Sequence, residues 1–170
     1  GSTVEEDEKY KRSLAEEEKN QSETLLIVHL LRNDLGKVCD IASIKVPKLM
    51  TVESYSTLHQ LVSTVTGKIS GKYDAIDVIK ACLPGGSMTG APKKRTLEII
   101  DSLETVPRGI YSGSMCFLSH NGTADFNIVI RTAVIEEEKV SLGVGGAIIA
   151  LSNPEEDFEE LLLKAKGVLK

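Results

Sequence analysis

The residues best suited to chemistry are a glycine-rich run, three carboxylates, one arginine, one tyrosine and a late glycine pair. The run reads Pro84-Gly85-Gly86-Ser87-Met88-Thr89-Gly90-Ala91-Pro92-Lys93-Lys94-Arg95-Thr96. Its glycines and prolines forbid a packed strand and interrupt a helix, so it is expected to be a loop with free backbone N–H groups. Leu97, Ile99, Ile100 and Leu103 follow at helical spacing, with Glu98, Asp101 and Glu104 between them. The loop should therefore feed a helix N-terminus, where free amides and the macrodipole favour an anion. A long surface loop is the competing reading, but two flanking hydrophobic segments favour a site.

Glu23 stands just ahead of an apolar stretch, and Asp157 and Glu160 are spaced to share one face of a terminal helix. Read alone, such acids serve as caps or dipole partners as readily as metal ligands. Arg131 lies inside the apolar stretch 126–134, where a buried guanidinium needs a structural partner or a ligand carboxylate. Gly145-Gly146 fits close approach of backbone amides to a carboxylate, and equally a hairpin bulge. Lys164 alone reads as a solvated helix lysine.

The elements that must position these groups follow from the pattern. Val4 to Asn20 is dominated by charge, with Val4, Tyr10 and Leu14 its only large apolar or aromatic residues. It is expected to be a solvated helix or a disordered connector. Leu25 to Leu31 is apolar and runs into Arg32-Asn33-Asp34-Leu35-Gly36, consistent with a buried helix stopped by glycine. Strands are expected over 41–50 and 58–69, and a short helix over 74–83. Three more strands are expected over 110–118, 124–134 and 139–151, with Asn121-Gly122 as a hairpin turn. Pro154 opens a last helix, acidic at its start and basic at its end. With no βαβ rhythm, the fold class is α+β: a mixed or antiparallel sheet with flanking helices.

Composition narrows the function. At 170 residues the chain suits one domain, and its net charge of −5 argues against nucleic acid as a partner. Cys39, Cys82 and Cys116 lack metal-ligand spacing, so reduced thiols in a cytoplasmic protein are expected. No apolar run approaches the roughly 20 residues that span a bilayer, and the charged start does not resemble a secretory signal. Gly1-Ser2 reads as a cloning remnant. The expected organisation is a charged connector over 1–22 and a catalytic part over 23–170.

Pro84 to Lys93 resembles the signature of the chorismate-utilising enzymes, in the form carried by the aminodeoxychorismate (4-aminobenzoate) branch. The likeness is collinear on both sides. Upstream are Ile27-Val28-His29-Leu30-Leu31-Arg32-Asn33-Asp34-Leu35-Gly36 and Leu61-Val62-Ser63; downstream are Ile128-Val129-Ile130-Arg131-Thr132, Gly143-Val144-Gly145-Gly146 and Asn153-Pro154-Glu155. The resemblance implies the C-terminal part of that family's chorismate-binding fold. It implies chorismate as substrate, Mg2+ as cofactor, and a glutamine amidotransferase domain or subunit as the ammonia source. Glu23, Asp157 and Glu160 match the family's metal positions, with Asp157 one methylene shorter than the family's glutamate. Ser87, Tyr111, Arg131, Gly145, Gly146 and Lys164 match substrate contacts, Arg131 as the clamp on the enolpyruvyl carboxylate.

Several positions depart from the family pattern. Gln60 stands where most members carry histidine, and His59, one residue earlier, should point to the opposite face. His29 replaces aspartate, Ala147 glycine and Leu151 aspartate; some of these changes resemble fungal-type fused synthases. The branch's Pro-Ile-Lys-Gly-Thr motif, with its nucleophilic lysine, and its upstream acidic glutamate are not in this sequence. The chain therefore resembles the C-terminal half of a catalytic domain that needs its N-terminal half, with no catalytic residue of its own. Anthranilate synthase is the rival within the family, although its loop lacks the Pro-Gly-Gly-Ser start. A non-catalytic binding or regulatory domain is the rival from another class.

Overall fold

Glutamate and lysine dominate residues 4–16, and they wind into α1 (Val4–Glu16), whose first free amides are met by the Thr3 hydroxyl, to which Glu6 N donates at 3.2 Å. In this computed structural model, which describes residues 3–55 and 58–169, Gly1-Ser2 lies outside the described residues. Contacts divide the chain into two units, Gly1–Cys82 and Leu83–Lys170.

In the first unit, α1 and α2 (Glu18–Leu35) pack on a hairpin of β1 (Lys45–Ser54) and β2 (His59–Thr66), and α3 (Ala75–Cys82) packs on α2. Of the two forms open to Val4–Asn20, the helical one is observed. α2 begins earlier than the apolar pattern shows and ends, as expected, at Gly36. It is not buried all round: Val28, Leu30 and Asp34 are buried, whereas Leu25, Leu26 and Leu31 are exposed. Asp34 is a charge out of water, and Lys37 Nζ answers it at 2.8 Å.

β1 and β2 are antiparallel, Thr51 facing Val62 and Ser54 facing His59, with register irregularities around Lys48. His59 places one ring nitrogen 2.9 Å from Ser54 Oγ and the other 3.0 Å from Asp7 Oδ2, tying α1 to the hairpin. Asp74 starts α3 by accepting from Ile76 N at 2.8 Å and Asp77 N at 3.1 Å.

The second unit opens with the glycine-rich run, folded as a 3-10 turn at Gly86–Met88 and then released into α4 (Lys93–Leu103). The helix takes over inside the run, because the last glycine and proline are behind it at Lys93. β3 (Cys116–Leu118) pairs antiparallel with β4 (Ala124–Phe126), and β5 (Ala133–Glu136) with β6 (Lys139–Leu142). Asn121-Gly122 makes the first turn, Gly122 at φ +86. α5 (Pro154–Val168) is capped by Asn153 Oδ1, which accepts from Glu155 N at 3.0 Å and Glu156 N at 3.3 Å.

The α+β class stands, with antiparallel pairing throughout the described strands. The three long strands expected in this half are shorter. Left-handed backbone at Ser112 (φ 62) and Arg131 (φ 50) breaks the extended conformation, and neither residue type announces it.

Among the described residues the buried apolar side chains are Val28, Leu30, Val38 and Val129. Ile41, Ile148 and Phe117 are 99%, 88% and 66% exposed. The accessible surface is 12463 Å2, against about 9,900 Å2 for two separate compact bodies of half the mass. Large apolar side chains this exposed call for a cover. We expect the isolated chain to form concentration-dependent species on sizing and to bind a hydrophobic dye. A dye-silent monomer with slow amide exchange throughout would contradict this.

Candidate functional site

Within the second unit, one constellation gathers residues from three separate stretches of chain. Tyr111 is half-buried and its amide donates to Arg108 O at 3.2 Å. Its side chain lies close against the backbone at Gly143 and Gly145. A Cβ on Gly143 would overlap the ring, and one on Gly145 would collide with the phenol oxygen. Glycine is required here by space rather than by dihedral freedom. Lys164, one face of α5, donates from Nζ to Gly145 O at 3.1 Å and pairs with Glu160 Oε1 at 2.6 Å. Tyr111, Gly145, Lys164 and Glu160 are thus joined by direct contacts.

Lys164 is therefore not the solvated lysine that its position alone implies: it is half-buried and committed to two acceptors. Gly146 is exposed, and a Cβ there would meet only Leu161 Cδ2 at 3.8 Å, so glycine is not required at this position by space. Asp157 is half-buried one turn before Glu160 on α5, and its own amide donates to Asn153 O at 2.9 Å. Its carboxylate and that of Glu160 share a helix face, as the spacing predicts.

The other expected residues sit on other elements. Ser87 is exposed in the 3-10 turn. Arg131 is exposed rather than buried, because the chain kinks there: Ile130 N donates to Ile128 O at 3.0 Å and Arg131 takes a φ of 50. Glu23 is half-buried within α2, in the first unit, rather than ahead of the helix. Gln60 is exposed on β2 opposite Glu53, and His29 is exposed on α2.

A further side chain was not legible from the motifs. Arg108 grips Glu104 with Nε at 2.9 and 3.0 Å and Nη2 at 2.6 Å, while Nη1 donates to Met88 O at 2.8 Å and Ser112 Oγ at 3.3 Å. The hydrogen bonds from Arg108 hold the Glu104 carboxyl below its usual range. Burial pushes the Tyr111 phenol up, partly offset by the Arg108 charge.

Chemically, the constellation offers a half-buried aromatic ring, exposed glycine backbone at Gly146, and a fixed ammonium beside a carboxylate. That suits a small anionic molecule with a ring. Among the described residues no three histidine, cysteine or acidic side chains converge as a metal cage. Asp157 and Glu160 supply two hard oxygen donors on one face. Mg2+ is usually held by one or two carboxylates plus water and substrate, so this donor chemistry fits it.

The chain is similar to known proteins along its whole length. The family model described as chorismate binding enzyme matches residues 1–170. A protein named "Probable aminodeoxychorismate synthase, chloroplastic" from Oryza sativa subsp. japonica is 58% identical over 170 residues, covering 100% of this chain and 19% of that protein. The Arabidopsis thaliana protein named "Aminodeoxychorismate synthase, chloroplastic" is 57% identical over 167 residues, covering 98% of this chain and 18% of its own length. The chain thus spans about a fifth of the length of these two relatives. The crystal structure of anthranilate synthase component I from Streptococcus pneumoniae superposes with a TM-score of 0.88 at 35% identity, covering 98% of this chain and 38% of that one.

The Tyr111 packing has a pH signature. Because burial raises the phenol's affinity for its proton in the folded state, any stability it contributes is fully present below the unfolded tyrosine's pKa of about 10. It is lost as pH rises through the folded value, since the unfolded chain ionises first. Tyr111→Phe should therefore flatten the fall in unfolding midpoint above about pH 10. An unchanged alkaline limb would show that the phenol is not protected by this packing.

Proposed function

Because the chain belongs to the chorismate binding enzyme family, we propose that it is the C-terminal portion of an aminodeoxychorismate synthase. The whole enzyme would convert chorismate and glutamine-derived ammonia to 4-amino-4-deoxychorismate, on the way to 4-aminobenzoate and folate. A glutamine amidotransferase domain or subunit would deliver the ammonia. The observation that carries the reading is the Tyr111 ring laid on the Gly143 and Gly145 backbone, with Lys164 and Glu160 fixed beside it.

In this reading the Gly145 and Gly146 backbone and the Arg131 guanidinium take the enolpyruvyl carboxylate. Tyr111 supports one side of the ligand, and Ser87 offers a hydroxyl from the glycine-rich turn. Lys164 keeps Glu160 in one rotamer and holds Gly145 O, so the amide plane beside the ligand stays oriented. Asp157 and Glu160 would hold Mg2+, which when bound supplies positive charge to the substrate's ring carboxylate. The chain's part in catalysis is orientation: a substrate with both carboxylates fixed presents its ring carbon to a nucleophile in one pose, removing rotational freedom before the reaction.

Two observations support the branch: the Pro84-Gly85-Gly86-Ser87 start of the loop, and relatives with the synthase name at 58% and 57% identity. The second reading is an anthranilate synthase portion, favoured by the Streptococcus pneumoniae structure at TM-score 0.88. A non-catalytic binding role is favoured by Gln60 and Ala147, which depart from the family pattern.

Glu160→Ala in the whole synthase tests the site. Loss of a metal-holding carboxylate should raise the Mg2+ concentration for half-maximal activity by about tenfold or more, with little change in unfolding midpoint. An unchanged Mg2+ dependence would return Glu160 to a partner of Lys164 alone. The isolated chain, given chorismate, ammonia and Mg2+, should show no turnover. Turnover within a few-fold of the whole synthase would mean that a nucleophile lies in this chain after all.

A further inference from the structure

Arg108 belongs to none of the motifs described above, yet its side chain joins a carboxylate, a hydroxyl and a carbonyl twenty residues earlier. Its guanidinium fork takes the Glu104 carboxylate just past the end of α4, the Met88 carbonyl in the 3-10 turn and the Ser112 hydroxyl. Its own carbonyl accepts from Tyr111 N at 3.2 Å. One side chain and one peptide group thus link the turn that carries Ser87 to the segment that carries Tyr111.

We infer that Arg108, oriented by Glu104, is a positioning residue that holds the Ser87 turn and the Tyr111 segment in one fixed relation, so that both meet the same ligand. Its functional consequence rests on the chorismate reading; the strut itself does not.

The geometry needs a planar fork. The Glu104 carboxylate occupies Nε and Nη2 as a bidentate pair, which leaves Nη1 directed at Met88 O and Ser112 Oγ. A lysine keeps the charge but donates from one nitrogen, so it cannot span the carboxylate and the turn together. Removing Glu104 leaves the arginine free to swing away from the turn. Ser112 at φ 62 and Gly109 at φ +62 bracket the segment with tight turns, and Ser112 N donates to Val129 O at 2.9 Å. The strut therefore connects the turn to backbone that is itself anchored on buried Val129.

Amide exchange in the chain reads the strut directly. Met88 N donates to Gly85 O at 3.0 Å and Thr89 N to Gly86 O at 3.3 Å, so these two amides report whether the turn holds. Ser119 N, which donates to Thr123 O at 2.9 Å in the β3–β4 hairpin, is the internal reference. Arg108→Ala, Arg108→Lys and Glu104→Gln should each speed exchange at Met88 and Thr89 relative to Ser119, by about tenfold for the alanine variant. If Arg108→Ala also loosens Ser119, the lysine and glutamine variants decide. Unchanged exchange at Met88 and Thr89 in these variants overturns the strut.

In the whole synthase, Arg108→Lys should raise the chorismate KM by about tenfold with a smaller change in kcat. A loosened turn with unchanged KM would overturn the positioning role. A wild-type synthase that leaves chorismate unconverted would defeat the proposed function instead, and the exchange experiment would still decide the strut.

Discussion

The space beneath one tyrosine ring organises the second half of this chain. Tyr111 can lie on the 143–145 backbone only because Gly143 and Gly145 lack a Cβ. That approach brings the Gly145 carbonyl within reach of Lys164, and Lys164 in turn fixes Glu160 on α5. Arg108 holds the other side, bonding through its carbonyl to Tyr111 and through its guanidinium to the glycine-rich turn. An alanine at either glycine would push the ring away and loosen each of these contacts in sequence.

These groups are held by polar contacts more than by burial. Val28, Leu30, Val38 and Val129 are the buried apolar side chains among the described residues, too few to organise a site by packing alone. A hydrogen bond contributes about 0.5–1.5 kcal/mol net, so a constellation held by a few of them is sensitive to the loss of any one. The charge-assisted contacts of Arg108 and Lys164 are the stronger members. The same chain leaves large apolar side chains such as Phe117 and Ile148 in water, as expected of a portion whose remaining surface is covered within a longer enzyme.

Local signals in the sequence were legible where the chemistry is local. Asn121-Gly122 made its hairpin, Asn153-Pro154 started α5, and α4 followed the glycine-rich loop. The spacing of Asp157 and Glu160 put both on one face. What escaped depends on distant partners. Nothing in the apolar stretch around Arg131 marks the left-handed kink that exposes it, since arginine has no preference for that backbone. Lys164 became half-buried because a carbonyl nineteen residues earlier accepts from it, and Arg108 because a carbonyl twenty residues earlier does. Only the fold brings those acceptors into reach. The long strands expected after residue 110 shrank for a similar reason: β-branched content fits a strand but does not exclude a kink.

The central claim is that the Tyr111, Gly145 and Gly146 surface receives the chorismate carboxylate. The most direct measurement is a titration of the isotope-labelled chain with chorismate in the presence of Mg2+, following amide shifts residue by residue. Saturable shifts centred on Gly145, Gly146 and Tyr111, absent with a neutral cyclohexadiene analogue, are the expected result. Saturable shifts confined to α1 or the β1–β2 hairpin, or none at all at the glycine pair, would contradict it.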